Sequence, residues 1–370
     1  MELTQGVPEK ERWSKRMRIV IGVAGTAKNT GKTTTLLQTT KFFNSLGKDV
    51  FLTSIGYDGE DFDNITGLPK PRILVPKGAM AASALSLLKS SPADFEDLRY
   101  TGVDCALGPV YVGTATSTGK VVLAGPTNTE DLISVIEFAR KDSAVLLDGA
   151  FSRLSPMVAA DCLILATGAT RSTNPVKLAR EVNAIFRVMS LPKVSERSTE
   201  RYAIGSHSAI TIPNGLFLKG QGRKVGIRLV QDAMPSDVRI QGIVNPGVFL
   251  EILEVIGGFS NGTGNGHLPI LFVFDHPIML LLSGDIMLWD RVLDRLSQFG
   301  CGAAVKDTTQ LLGVTINPYT LSQLDNGKFV AGQVDPKEFL ENVRNSAKVP
   351  CTDIVLEGPS ALYSWLEQYV

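Results

Sequence analysis

Short apolar, β-branched runs alternate along the first half of the chain with longer stretches whose apolar positions recur at helical spacing. Arg18–Ala24 (RIVIGVA) carries almost no polar residue, the composition of a strand buried on both faces. A glycine-containing loop follows, and then Leu36, Leu37, Phe43 and Leu46 fall near one face of a helix from about Lys32 to Leu46, with Gly47 placed to end it. Asp49–Ile55 predicts a second strand, and Leu107–Val112 and Lys120–Ala124 predict two more, joined by a polar turn over Thr114–Gly119. Thr127 with Glu130 fits a capping box, opening a helix that runs to about Arg140. Ala144–Leu147, ending at Asp148, and Cys162–Ala166 complete the set of strands. Strands separated by helices imply a mostly parallel sheet with right-handed crossovers.

Residues 193–225 break this pattern with mixed charge and scattered Gly, Ser and His. Strand and helix signals resume at about Val225, and Asn261–Gly266 (NGTGNG) reads as a flexible loop. Runs such as Leu268–Phe274, Gly313–Ile316 and Asp353–Leu356 read as parts of a smaller α/β domain. The expected organisation is a nucleotide-binding domain over residues 1–192 and a second α/β domain, for a partner or substrate, over 193–370.

The loop between the first strand and the first helix reads GTAKNTGKT over residues 25–33. Backbone N–H groups of such a loop converge on phosphate oxygens, and the helix N-terminus adds positive potential. The lysine binds the β/γ-phosphates and the hydroxyl residue after it binds Mg²⁺. The expected contacts are Gly25, Thr26, Lys28, Asn29, Thr30, Gly31, Lys32, Thr33 and Thr34, with ATP and Mg²⁺ as ligands. Lys32 would neutralise charge on the transferring phosphoryl and Thr33 would hold the metal. Asp148, ending an apolar run, is the expected metal carboxylate. Asp58, just beyond the second strand, is the expected switch carboxylate; a solvated acidic turn with Glu60, Asp61 and Asp63 explains it too. Thr167 and Gly125 also fall at expected strand ends, where ligands bind in open α/β sheets. Thr127, and the basic trio Lys70, Arg72 and Lys77, are further candidates for meeting an anion, with a plain cap and solvated lysines as the alternatives. No NKxD-type guanine signature occurs at a suitable strand end, which favours ATP; Asn245 and Asn317, each before a proline, read as turn residues.

Composition narrows the picture. Lys+Arg and Asp+Glu both number 37, so no net field attracts nucleic acid or an anionic membrane. Cys105, Cys162, Cys301 and Cys351 form no CxxC pair and His207, His267 and His276 are scattered, which argues against a zinc centre and for reduced thiols. No run reaches the roughly 18 apolar residues of a membrane span, and the N-terminus lacks a secretory pattern, so a cytoplasmic protein is expected.

Five residues separate Gly25 from Gly31, one more than the usual pattern. That longer loop resembles the loop of dethiobiotin synthetase, and with it the cobyrinate amidases and the partitioning ATPases of the SIMIBI class of P-loop proteins. The resemblance covers about residues 18–170 and implies the class, not the reaction. In partitioning ATPases an early lysine reaches the nucleotide of a neighbouring subunit, an arrangement that goes with a homodimer; Lys28 sits one residue too close to Lys32 for it. A second resemblance rests on Thr53–Ile73, Leu146–Arg153, Asp161–Ala169 and Gly313–Tyr319. These segments are similar to the ATP-binding subunit of a bacterial reactivase for adenosylcobalamin-dependent aminomutases of the lysine and ornithine type. That resemblance implies a chaperone-like ATPase that releases damaged cobalamin from the mutase, alongside a MutS-like partner. Against it stands a ligase or amidase reading, in which ATP activates a small carboxylate; the chain lacks a Cys–His pair for glutamine hydrolysis. A non-hydrolysing nucleotide sensor is the third reading.

Overall fold

The computed structural model describes residues 18–57, 72–195, 209–232, 235–263, 270–323 and 329–370. The chain divides into two compact units. The first is discontinuous, built from Met1–Pro175, Leu312–Asn345 and Pro350–Val370; the second comprises Val176–Leu311 and Ser346–Val349. The single boundary drawn at 192/193 from the sequence therefore differs from the clustering, in which the chain returns to the first unit after the second is made.

The first unit holds a nine-stranded sheet. Its strands are β1 (Ile19–Gly25), β2 (Val50–Ser54), β3 (Met80–Ala84), β4 (Phe95–Cys105), β5 (Gly108–Ala115), β6 (Ala144–Ala150), β7 (Cys162–Gly168), β8 (Gln310–Asn317) and β9 (Cys351–Thr352). Their spatial order is β9-β8-β7-β1-β6-β2-β3-β5-β4. Strand β1 runs parallel to β6 and β7, and β2 runs parallel to β6 and β3. The edge is antiparallel, β5 pairing with both β3 and β4. The result is a mixed α/β fold with a large, mostly parallel sheet flanked by helices, as the alternation of elements implies. The central strands are apolar because both faces are covered: Ile21, Val23, Leu146, Ile164 and Leu165 are fully buried.

Helix α1 (Lys32–Ser45) lies against this core through Leu36, Phe42 and Phe43. Gly47 ends it in a left-handed turn (φ 70°), with Lys48 N donating to Phe43 O at 3.1 Å. Several expectations shift in detail. Asp148 lies inside β6, not at its end, since Gly149 and Ala150 continue the pairing with β1. The run expected over Lys120–Ala124 is a strand only over Gly119–Val121, and it pairs antiparallel with Ile73–Val75 outside the large sheet. Asn128, not Thr127, caps the helix Thr129–Ile136, its side chain accepting from Asp131 N at 2.8 Å. The Gly313–Ile316 run belongs to β8 of the first unit's sheet, so it is not part of the second domain. Asp353–Leu356 likewise falls in the first unit, where Asp353 caps a short helix by accepting from Val355 N and Leu356 N.

The second unit carries four parallel strands in sequential order: Ala209–Ile212, Asp237–Ile240, Leu271–Phe274 and Gly302–Val305. Its core packs Phe249 against Phe272 and Phe274, with the Trp289 indole donating to Leu280 O at 2.6 Å. The helix Pro246–Thr263 runs through Asn261–Thr263, half of the NGTGNG stretch expected to be loop; residues 264–266 lie outside the described residues. No helix among the described residues is long and apolar enough to cross a membrane. No disulfide joins the four cysteines.

Candidate functional site

The glycine loop leaves β1 at Gly25, between the C-terminal ends of β6 and β7, where the sheet's strand ends converge. Its shape follows from two left-handed residues, Asn29 (φ 59°) and Gly31 (φ 86°). An L side chain is strained at such angles, so glycine at 31 removes the cost directly, while asparagine at 29 is one of the few residues that tolerates it. Gly31 is also the N-cap of α1, which lacks a side-chain cap and so leaves its first N–H groups to other partners. A side chain at Gly25 would come within 3.0 Å of Thr30 Oγ1, so the loop folds back tightly on its own start. Thr30 Oγ1 donates to Ala27 O at 3.1 Å, and Thr26 Oγ1 donates to Thr167 Oγ1 at 2.7 Å, tying the loop to β7. Lys28 is exposed at its crest, and Thr33 and Thr34 are half-buried in the first turn of α1.

Lys32 reaches across to β6. Its Nζ stands 3.0 Å from Asp148 Oδ1 and 3.2 Å from Oδ2, but only the Oδ2 contact has hydrogen-bond geometry. Oδ1 is therefore a buried carboxylate oxygen with no hydrogen bond among the described residues. The Lys32 ammonium at 3.0 Å balances its charge without satisfying it as a hydrogen-bond acceptor. No cluster of three or more His, Cys, Asp or Glu side chains is present among the described residues. An Asp148 carboxylate paired, among the described residues, only with Lys32 has the oxygen chemistry that Mg²⁺ accepts, with its remaining positions left to phosphate and water.

A second group of residues meets one strand away. Gly125 lies flush on Ser54, whose carbonyl oxygen a side chain there would strike at 1.9 Å. Gly56 N donates to Pro126 O at 3.0 Å, and Gly125 N donates to Gly56 O at 3.2 Å. A Cβ on Gly56 would stand 3.3 Å from Thr127 and 3.4 Å from Arg153, and Arg153 Nη1 donates to Tyr57 O at 3.4 Å. Thr127 and Arg153 thus flank the turn that follows β2, beside Asp148, whose backbone carbonyl accepts from Ile55 N at 2.8 Å. Arg153 was not among the residues singled out from the sequence; the signal for it is its position five residues beyond Asp148, in the turn that follows β6.

Asp58 and Lys70 lie outside the described residues. Lys77 is exposed and precedes the N-terminal end of β3, the end opposite the loop, so it is not brought there, and Arg72 is exposed just ahead of Ile73–Val75. Asn245 is a turn residue as read, its Oδ1 accepting from Gly247 N and Val248 N at the start of a helix. Asn317 does more than turn the chain: its Nδ2 donates to Asn29 O at 2.7 Å.

No family model and no curated protein matches the chain. Among solved structures, the MinC:MinD cell division protein complex of Aquifex aeolicus aligns over 95% of this chain and 95% of that one, at 13% identity and a TM-score of 0.23. At that score the similarity carries no argument about function.

Proposed function

We propose that the protein is a Mg²⁺-dependent P-loop ATPase whose nucleotide cycle acts on a partner protein. The observation that carries this reading is the Lys32–Asp148 pair at 3.0–3.2 Å, set on a strand–loop–helix unit with left-handed residues at 29 and 31. In it, Lys32 binds the β/γ-phosphates and neutralises charge on the transferring phosphoryl. Thr33 and Asp148 would hold the metal, which would supply Lewis-acid withdrawal of charge from the phosphate oxygens. The backbone N–H groups of residues 28–33 receive the oxygens, and Asp58 is the proposed switch carboxylate. Nucleotide binding pulls Lys32 away from Asp148, which frees the β6 end and the Arg153-bearing loop to respond to nucleotide state.

The partner we favour, on the segments Thr53–Ile73, Leu146–Arg153, Asp161–Ala169 and Gly313–Tyr319, is an adenosylcobalamin-dependent aminomutase carrying inactivated cofactor, with a MutS-like subunit. The meeting of Thr127 and Arg153 at Gly56 favours a second reading, a ligase in which these groups hold a small carboxylate beside the phosphates. Phosphate release by the purified protein separates the two. Stimulation by an inactivated mutase supports the first; stimulation by a small carboxylic acid and indifference to any protein supports the second. In either case Lys32→Ala is expected to abolish turnover, and wild-type turnover by that variant overturns the site.

A further inference from the structure

The phosphate loop's geometry depends on a residue that arrives from the far side of the chain. Asn29 is held left-handed (φ 59°), a conformation that asparagine tolerates but does not itself enforce. Its carbonyl must also point away from any bound anion, because a flip of the 29–30 peptide would replace an N–H with an oxygen facing the phosphates. Nothing in the loop's own sequence enforces that orientation. Asn317, the last residue of β8, does so by donating from Nδ2 to Asn29 O at 2.7 Å.

Asn317 is itself fixed on several sides. Its Oδ1 accepts from Tyr319 N at 3.2 Å, which leaves Nδ2 as the group facing Asn29. Its carbonyl accepts from Ala169 N at 2.8 Å, and Gly168 lies so close that a Cβ there would stand 2.0 Å from the same oxygen. Two residues earlier on β8, the buried Thr315 hydroxyl bonds the buried Thr35 hydroxyl of α1 at 2.8 Å. The Asn317 side chain also backs Gly31, at 3.6 Å from the position of a Cβ. One strand end thus grips both the loop and the helix it opens. We propose that Asn317 is a positioning residue that holds the phosphate loop in its anion-binding shape through the Asn29 carbonyl. This rests on the phosphate-loop reading above and deepens it.

The test is calorimetric titration with inorganic tripolyphosphate, ATP and GTP, each with Mg²⁺, for wild type, Asn317→Ala and Asn317→Asp, with thermal midpoints taken in parallel. Asn317→Asp keeps the acceptor for Tyr319 and loses the donor for Asn29. The expected result is a loss of about tenfold in affinity for all three ligands in Asn317→Ala, and at least as much in Asn317→Asp, whose midpoint stays near wild type. A role confined to the fold would shift the midpoints of both variants and spare the affinity of Asn317→Asp for tripolyphosphate, and that overturns the proposal. So does a change in the ATP-to-GTP ratio with tripolyphosphate binding intact, which would make Asn317 a base reader. Wild type failing to bind tripolyphosphate overturns the phosphate-loop reading itself, whereas wild-type binding matched by both variants overturns only the role of Asn317.

Discussion

Replacing Asp148 by asparagine separates two effects that a simple loss of activity would merge. The substitution keeps size and shape but removes the charge facing Lys32 Nζ at 3.0–3.2 Å. A hydrogen bond to a charged group contributes about 1.5–3 kcal/mol net and a neutral one about 1 kcal/mol. The two side chains are 20% and 15% exposed, so screening by salt trims the difference only modestly. Lys32 therefore gives up about 1–2 kcal/mol less when it turns from residue 148 to a phosphate, and metal-free ADP is expected to bind about 5- to 30-fold more tightly to Asp148→Asn. Turnover of Mg²⁺-ATP is expected to fall by about a hundredfold or more, the size of losing one group aimed at developing charge. Calorimetric titration of ADP in chelator and steady-state phosphate release measure the two quantities. Metal-free ADP binding no tighter than wild type would refute the idea that Asp148 competes with phosphate for Lys32, and undiminished turnover would refute its place at the metal.

Two further outcomes concern stability. Burial, the main cause, lowers the His276 pKa to about 4; Lys193 adds to the shift and Asp307 opposes it. His276 is 5% exposed, and its Nδ1 accepts from Ile278 N, which assigns the ring proton to Nε2, facing Thr309 Oγ1 at 3.2 Å. The unfolded chain binds this proton near pH 6.5 and the folded one only near 4, so stability is complete above pH 6.5 and falls by about 3 kcal/mol as pH drops to 4. Urea unfolding across that window is expected to show the loss in wild type and a shallower slope in His276→Asn; parallel slopes would refute it. Leu146→Ala, at a fully buried position of β6, is expected to cost about 2–5 kcal/mol with an unchanged denaturant slope, and a cost under about 1 kcal/mol would mean the site collapses around the gap.

The elements legible in the sequence are those whose signals are local. Strand β1, the glycine loop and α1 are adjacent in the chain, and each announces itself by apolar run, glycine spacing and helical period. The β4–β5 hairpin shows how that fails. Of its residues, Glu96, Asp97, Arg99 and Tyr100 are exposed, so no clean alternation survives, and a register shift between Glu96 and Arg99 accommodates a left-handed Asp97 (φ 53°). The Asp353–Leu356 run reads only as part of an α/β domain, and two backbone N–H groups bonded to Asp353 make it a helix start. Asparagine before proline reads as a turn at both 245 and 317; the first opens a helix and the second ends β8. Only the tertiary fold gives the second its hold on Asn29, 288 residues away.

That separation sets an order of events at the ribosome. The glycine loop is translated near the start of the chain, but its brace follows 288 residues later. At about 5–20 residues per second the interval is about 15–60 s. From about the middle of it, once β7 (Cys162–Gly168) has been made and its neighbour β8 has not, the nascent sheet presents an unpaired edge to any other strand. Most of the second unit, Val176–Leu311, is synthesised within this interval, between the two strands. If Asn317 braces the loop as proposed, anion binding is a late acquisition of the growing chain, gained as the last strands reach the sheet.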